Sequence, residues 1–286
     1  MMFRKTKSLE LRYPKKRVVI TGATSGLGRA LALEFARKGW RVAVTGRDAA
    51  RIRATAEAAR EAGGEPLEIL LEVTHADHFA AAAELVREKW GGLDILINNA
   101  GIGDAGRMET STLESWRRVM DANLWSVIHG CHSFIPLLKA NGGGHILNVS
   151  SASGLAGLPE MASYNASKAA VVAISETLKT ELVDDNIHVT VSCPSAFQSN
   201  IGAGDLIRSN EGAVGKSLVS RIANTHVTAE YVARFSLRSM TRNKLYSVPQ
   251  FDARLMWRIS RWFPEGYRNL LTYLFNKRLW VFSASN

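Results

Sequence analysis

Cysteine is scarce in this sequence of 286 residues: only Cys131 and Cys193 occur, far apart and outside any CxxC pairing. That scarcity argues against a disulfide framework and a zinc site, and it fits a reducing, cytoplasmic setting. No apolar run reaches the ~18 residues that a membrane span requires. The N-terminus is basic but lacks the apolar core of a signal peptide, so none is expected. Acidic side chains are in the minority, 26 against 36 Lys and Arg, giving a formal net charge of +10. The excess sits at the ends. Residues 1–17 hold seven basic side chains against Glu10, and residues 250–280 hold six against Asp252 and Glu265; those ends contribute +6 and +4 and leave a neutral body. A neutral body makes nucleic acid the weakest partner, while an anionic membrane surface or plain solubility accounts for the ends.

What the chain does contain is alternation. Short β-branched runs at 17–21, 41–45, 67–73, 94–98, 145–149, 188–192 and 245–248 read as strands. Between them lie helical stretches at 30–36, 49–62, 76–89, 113–138 and 160–181, with another opened by the capping residue Thr228. This βα order predicts an α/β fold: a doubly wound parallel sheet of about seven strands with helices on both faces and right-handed crossovers. The expected organisation is a basic arm over 1–15, one catalytic domain over 16–249 with a substrate lid at 195–227, and a basic aromatic helical tail over 250–286.

The first strand runs into Thr21-Gly22-Ala23-Thr24-Ser25-Gly26-Leu27-Gly28 and then a helix. Strand, glycine-rich turn and helix together let backbone N–H groups and a helix N-terminus receive a pyrophosphate. The second strand ends in Gly46-Arg47-Asp48. Gly46 offers no carboxylate to a ribose 2′-hydroxyl, whereas Arg47, helped by Arg51, can grip a 2′-phosphate. Asp48 suits a helix N-cap, so NADP(H) is favoured over NAD(H). Tyr164 and Lys168 lie four apart on one helix and share a face. A nearby ammonium is expected to lower the phenol's pKa, so that Tyr164 trades a proton near neutral pH. Gly22 to Gly28, Gly46, Arg47, Glu72, Val73, Asn99, Ser151 and Pro194 all fall at the carboxyl ends of strands, where such sheets bind ligands.

Taken together, these residues resemble the short-chain dehydrogenase/reductase family in its compact one-domain form. The likeness covers roughly residues 16–200, with a weaker echo over 228–249. It rests on Thr21-Gly22-x-x-x-Gly26-x-Gly28, Asn98-Asn99-Ala100-Gly101, Asn123, Ser151 thirteen residues before Tyr164, Tyr164-x-x-x-Lys168 and the loop led by Pro194. The resemblance implies a Rossmann-type fold and a catalytic tetrad. Tyr164 would be the general acid or base. Lys168 would lower its pKa and hold the nicotinamide ribose, Ser151 would bond the substrate oxygen, and Asn123 would hold a water leading to solvent. Gly22, Thr24, Ser25, Gly26, Leu27 and Gly28 would meet the cofactor. So would Arg47, Glu72, Val73, Asn99, Ala100, Gly101 and Pro194, with Ser199 near the carboxamide. No metal is called for.

The implied reaction interconverts a carbonyl and a secondary alcohol on a small, apolar molecule, in a homodimer or homotetramer. Two rivals stay open: an isomerase or dehydratase with retained cofactor, and a non-catalytic NADP-sensing binding protein. Two positions depart from the family pattern, Glu72 for the usual Asp and Ser195 for the usual Gly after Pro194. The lid should turn Leu206, Ile207, Val214, Leu218, Val219 and Ile222 inward. In the tail, Leu255, Met256, Ile259, Trp262 and Phe263 form one stripe, with Arg254, Arg258 and Arg261 beside it. Packing of that stripe on protein is the favoured expectation; peripheral membrane contact through 250–280 is the alternative.

Overall fold

The computed structural model describes residues 7–199, 213–277 and 279, and its strands form one parallel sheet. They are β1 (Arg17–Ile20), β2 (Arg41–Gly46), β3 (Glu65–Leu70), β4 (Ile95–Asn98), β5 (Gly144–Val149), β6 (Ile187–Ser192) and β7 (Tyr246–Ser247). Their spatial order is β3-β2-β1-β4-β5-β6-β7. Val18 and Ile20 of β1 join an apolar cluster with α2 (Gly26–Ala36) and α9 (Ala229–Thr241). Val19, between them, joins another cluster with α4 (Ala76–Trp90) and α6 (Ser126–Ala140). Successive strand side chains point to opposite faces, so an all-apolar strand needs helices on both. The chain winds outward from β1 to β3, then returns to lay β4 on the other side of β1. Such a reversal opens a crevice at the carboxyl ends of the strands.

Some boundaries differ from expectation. β3 ends at Leu70, so Glu72 and Val73 lie just beyond it, and β7 has two residues. The stretch expected as one helix over 113–138 is α5 (Leu113–Met120), a π-helical segment (Asp121–Trp125) and α6. Asn123 lies in the π-helical segment, a distortion frequent at functional sites. The tyrosine helix, α7 (Ala162–Glu181), starts two residues late, because Glu160 takes a left-handed conformation with φ of 56°. Within the expected arm, α1 (Leu9–Arg12) buries Leu9, and the Tyr13 hydroxyl donates to the Gly144 carbonyl at 3.0 Å. The remaining helices are α3 (Ala49–Glu61), α8 (Ala213–Asn224), α10 (Phe251–Trp262) and α11 (Pro264–Asn276).

Candidate active site

At the end of β1 the chain turns through Gly22 and Gly26, whose φ values of 64° and 49° favour glycine. The turn is tied to the end of β4. Thr21 Oγ1 accepts from the backbone N–H groups of Asn99 at 2.9 Å and Ala100 at 3.0 Å. Asn99 Nδ2 donates back to the carbonyls of Thr21 at 2.9 Å and Gly22 at 3.2 Å. No side chain caps α2, so its first N–H groups stay directed at the crevice as a ready site for phosphate. Gly28, expected against the cofactor, does not face the cavity. A Cβ there would stand 2.2 Å from the Gly22 carbonyl oxygen, so this glycine lets α2 close on the turn.

Arg47 is exposed beyond β2, 3.8 Å from the Glu72 carboxylate. Asp48 Oδ1 caps α3 by accepting from the N–H groups of Ala50 at 2.9 Å and Arg51 at 3.1 Å, which leaves it poorly placed to serve a ribose. A Cβ on Gly46 would meet Thr24 Cγ2 at 2.7 Å, so the position that could carry a carboxylate is sterically closed.

From Arg47 and Val73 a cavity of about 1330 Å³ passes the glycine turn and reaches Ser151, Tyr164, Lys168, Pro194 and Ser199. β5 delivers Ser151, whose hydroxyl accepts from the Ser153 N–H at 3.2 Å; the Ala152 N–H donates to the Pro194 carbonyl at 2.9 Å. Lys168 is 4% exposed, donates to the Val149 carbonyl at 3.1 Å and lies 5.8 Å from the Tyr164 ring centre. Burial pushes its ammonium down to about 8, with the nearby Cys193 acting the other way. The Tyr164 phenol is pushed up, chiefly by burial, and a hydrogen bond with Ser151 offsets part of this. The expected lowering of Tyr164 by Lys168 is therefore corrected: the ammonium turns to a carbonyl and burial dominates.

Asn123 is fully buried behind this wall rather than facing the cavity. Its Oδ1 accepts from the Ile102 N–H at 2.7 Å, and its Nδ2 donates to the Ile102 carbonyl at 3.0 Å and to Ser167 Oγ at 3.1 Å. A Cβ on Gly101 would strike Asn123 Oδ1 at 2.7 Å and Lys168 Nζ at 3.1 Å. The glycine is what lets these two groups pack behind the backbone.

Sequence reasoning missed Gln250 and Asp252 at the start of α10, both bonded to Ser195. Gln250 Oε1 accepts from the Ser195 N–H at 3.0 Å, and Gln250 Nε2 donates to the carbonyls of Ser195 and Ala196, each at 3.3 Å. The only signal was Ser195 itself, in place of glycine. Leu158, Met161, Phe197, Ile222 and Met256 give the cavity an apolar side. Of the expected lid residues, Leu206 and Ile207 lie outside the described residues, as do the side chains of Val214, Leu218 and Val219; Ile222 is buried. Among the described residues no group of three His, Cys, Asp or Glu could hold a metal ion. The expected tail stripe is divided: Met256 and Ile259 pack inward, while Leu255, Trp262 and Phe263 are exposed.

A family model described as short chain dehydrogenase matches residues 16–206. Among curated proteins, the chain is 40% identical over 187 residues to "Probable oxidoreductase EphD" of Mycobacterium tuberculosis, covering 65% of this chain and 32% of that one. The chain thus spans about a third of that relative's length. It is 37% identical over 185 residues to a 3beta-hydroxysteroid dehydrogenase of Mediterraneibacter gnavus, covering 64% of this chain and 67% of that one. Among solved structures, a short chain dehydrogenase/reductase from Burkholderia phymatum in complex with NAD is similar, with a TM-score of 0.79, 28% identity and coverage of 85% and 92%.

Proposed function

The chain belongs to the short-chain dehydrogenase family, and on that premise we propose that it is an NADP(H)-dependent oxidoreductase interconverting a carbonyl and a secondary alcohol on an apolar substrate. One observation carries this reading. Ser151, Tyr164 and Lys168 meet at one end of a continuous cavity whose other end is the glycine turn and Arg47. A bound nicotinamide supplies or accepts the hydride. Ser151 orients the substrate oxygen, and Tyr164 gives it a proton during reduction or takes one during oxidation. Lys168 lies buried beside the phenol, where burial lowers its ammonium to about 8. Contact between Arg47 and a 2′-phosphate is supported by Asp48 being engaged in capping and by the close contact with Thr24 that a side chain at residue 46 would make. The apolar walls from Met161, Ile222 and Met256 support an apolar substrate.

We also propose that 195–227 acts as a lid, supported by Phe197, Arg221 and Ile222 lining the cavity. Self-association as a homodimer or homotetramer has apolar surface available in the exposed Leu113 and Trp125. The buried free thiols of Cys131 and Cys193 suit a reducing compartment. Screening NADPH oxidation against ketones, aldehydes and quinones, with the Tyr164→Phe protein as control, tests the activity. Turnover on at least one carbonyl that the control loses is expected. Equal rates in both proteins would discard the reading.

A further inference from the structure

α10 is apolar on two opposite sides. Inward, Met256 and Ile259 pack with Met161, Tyr267 and Leu271, and the Trp257 ring sits 4.7 Å from that of Tyr246. Outward, Phe251, Leu255 and Trp262 fall at helical spacing on one face and are 71%, 46% and 79% exposed; Phe263, at the corner before α11, is 65% exposed. Burying such side chains is favourable, yet nothing in this chain's described residues covers them. A concentration of this kind marks a contact surface.

The charges beside it select the partner. Arg258 projects from the same face, three residues beyond Leu255 and four before Trp262, and has no ion partner among the described residues. Arg261 adjoins it and is 62% exposed, although it lies within 3.8 Å of Glu176. In a two-fold contact with a second copy, these arginines would meet their own images. Phosphate headgroups remove that repulsion, and the boundary between headgroups and acyl chains suits Trp and Phe. No helix among the described residues is long and apolar enough to cross a membrane, so contact of this kind is made from the surface.

We propose that α10 docks this protein on an anionic lipid surface, with Phe251, Leu255, Trp262 and Phe263 entering the interface and Arg258 and Arg261 at the phosphates. Asp252 and Met256, on the inner side of the same helix, line the cavity. Docking therefore brings the substrate end of the site to the lipid. This consequence rests on the apolar-substrate reading above; the docking itself does not.

The test is co-sedimentation of the full chain with vesicles of phosphatidylcholine, with and without phosphatidylserine, read without any activity assay. Binding is expected only with phosphatidylserine and should weaken as salt is added. A basic side chain near such a surface contributes ~1 kcal/mol, about fivefold in affinity, so the reversal Arg258→Glu should weaken binding by about tenfold or more. Leu255→Ser with Trp262→Ser should abolish it while melting stays cooperative. Arg258→Glu, an exposed change, keeps the test valid if the double variant does not fold. Wild type that stays in the supernatant, or an Arg258→Glu protein that binds as well as wild type, overturns the proposal. So does a double variant that becomes monomeric from a larger wild-type assembly, which would make this face a subunit contact.

Discussion

The hydroxyl of Ser195 donates to Oδ1 of Asp252 across 3.0 Å, joining the loop after β6 to the first turn of α10. Oδ2 of the same carboxylate lies 3.7 Å from the Arg221 guanidinium on α8. One side chain thus gathers three segments at the cavity, and Gln250 holds the loop backbone beside it. A hydrogen bond to a charged group contributes ~1.5–3 kcal/mol, and partial exposure favours the lower end. Asp252→Ala is expected to lower kcat/KM for the carbonyl substrate by roughly tenfold, mainly through KM, and to lower the melting temperature by about a few degrees. Steady-state kinetics and a thermal melt read both. An unchanged KM would leave the contact without a functional role.

Tyr164→Phe keeps the ring's packing and removes the proton it carries. Turnover is expected to fall about 10²–10⁴-fold, the usual contribution of a general acid or base, with NADPH affinity nearly unchanged. Single-turnover rates and fluorescence titration of NADPH separate the two. A variant that retains more than about a tenth of the wild-type rate would remove Tyr164 from proton transfer.

Arg47→Leu should weaken NADPH use by roughly tenfold in kcat/KM while leaving NADH little affected, because only the 2′-phosphate meets the guanidinium. The complementary exchange, placing a carboxylate at position 46, is expected to damage the turn instead, since its Cβ would press on Thr24. Equal losses with both cofactors would show that Arg47 acts through Glu72 rather than through phosphate.

His145 and His188 lie on β5 and β6 with ring centres 5.8 Å apart, and burial is the main cause lowering both pKa values, His188 to about 4. His145 Nε2 contacts Thr190 Oγ1 at 2.9 Å, and Arg12 and Lys179 add unfavourable positive charge for both rings. In the unfolded chain each ring titrates near 6.5. Between about 6.5 and 4 the unfolded state binds more protons, so stability is full above that window and falls as pH drops through it. Melting temperatures taken across this range should fall less steeply for His188→Gln than for wild type. Parallel curves would assign the acid sensitivity elsewhere.

The sequence alone was enough for the sheet, the glycine turn and the Tyr164–Lys168 pair. Those depend on local signals: β-branched runs, glycines where φ must be positive, and two side chains one helical turn apart. Gly28 was picked out with the glycine turn and Asn123 through the family resemblance, but their place was decided by packing. One is a glycine because a carbonyl oxygen lies where its Cβ would be; the other bonds the backbone of Ile102 from behind the cavity. The pKa of Tyr164 was misjudged because spacing along a helix gives proximity but not burial. Only the tertiary structure shows Lys168 turned to the Val149 carbonyl, in a region where desolvation outweighs the pairing. The clamp from Asp252 to Ser195 joins residues 57 apart, and the division of the α10 stripe depends on how that helix is rotated against α11 and the loop at Met161. Periodicity marks a face as apolar. Whether protein covers it is settled by long-range packing, which no local pattern encodes.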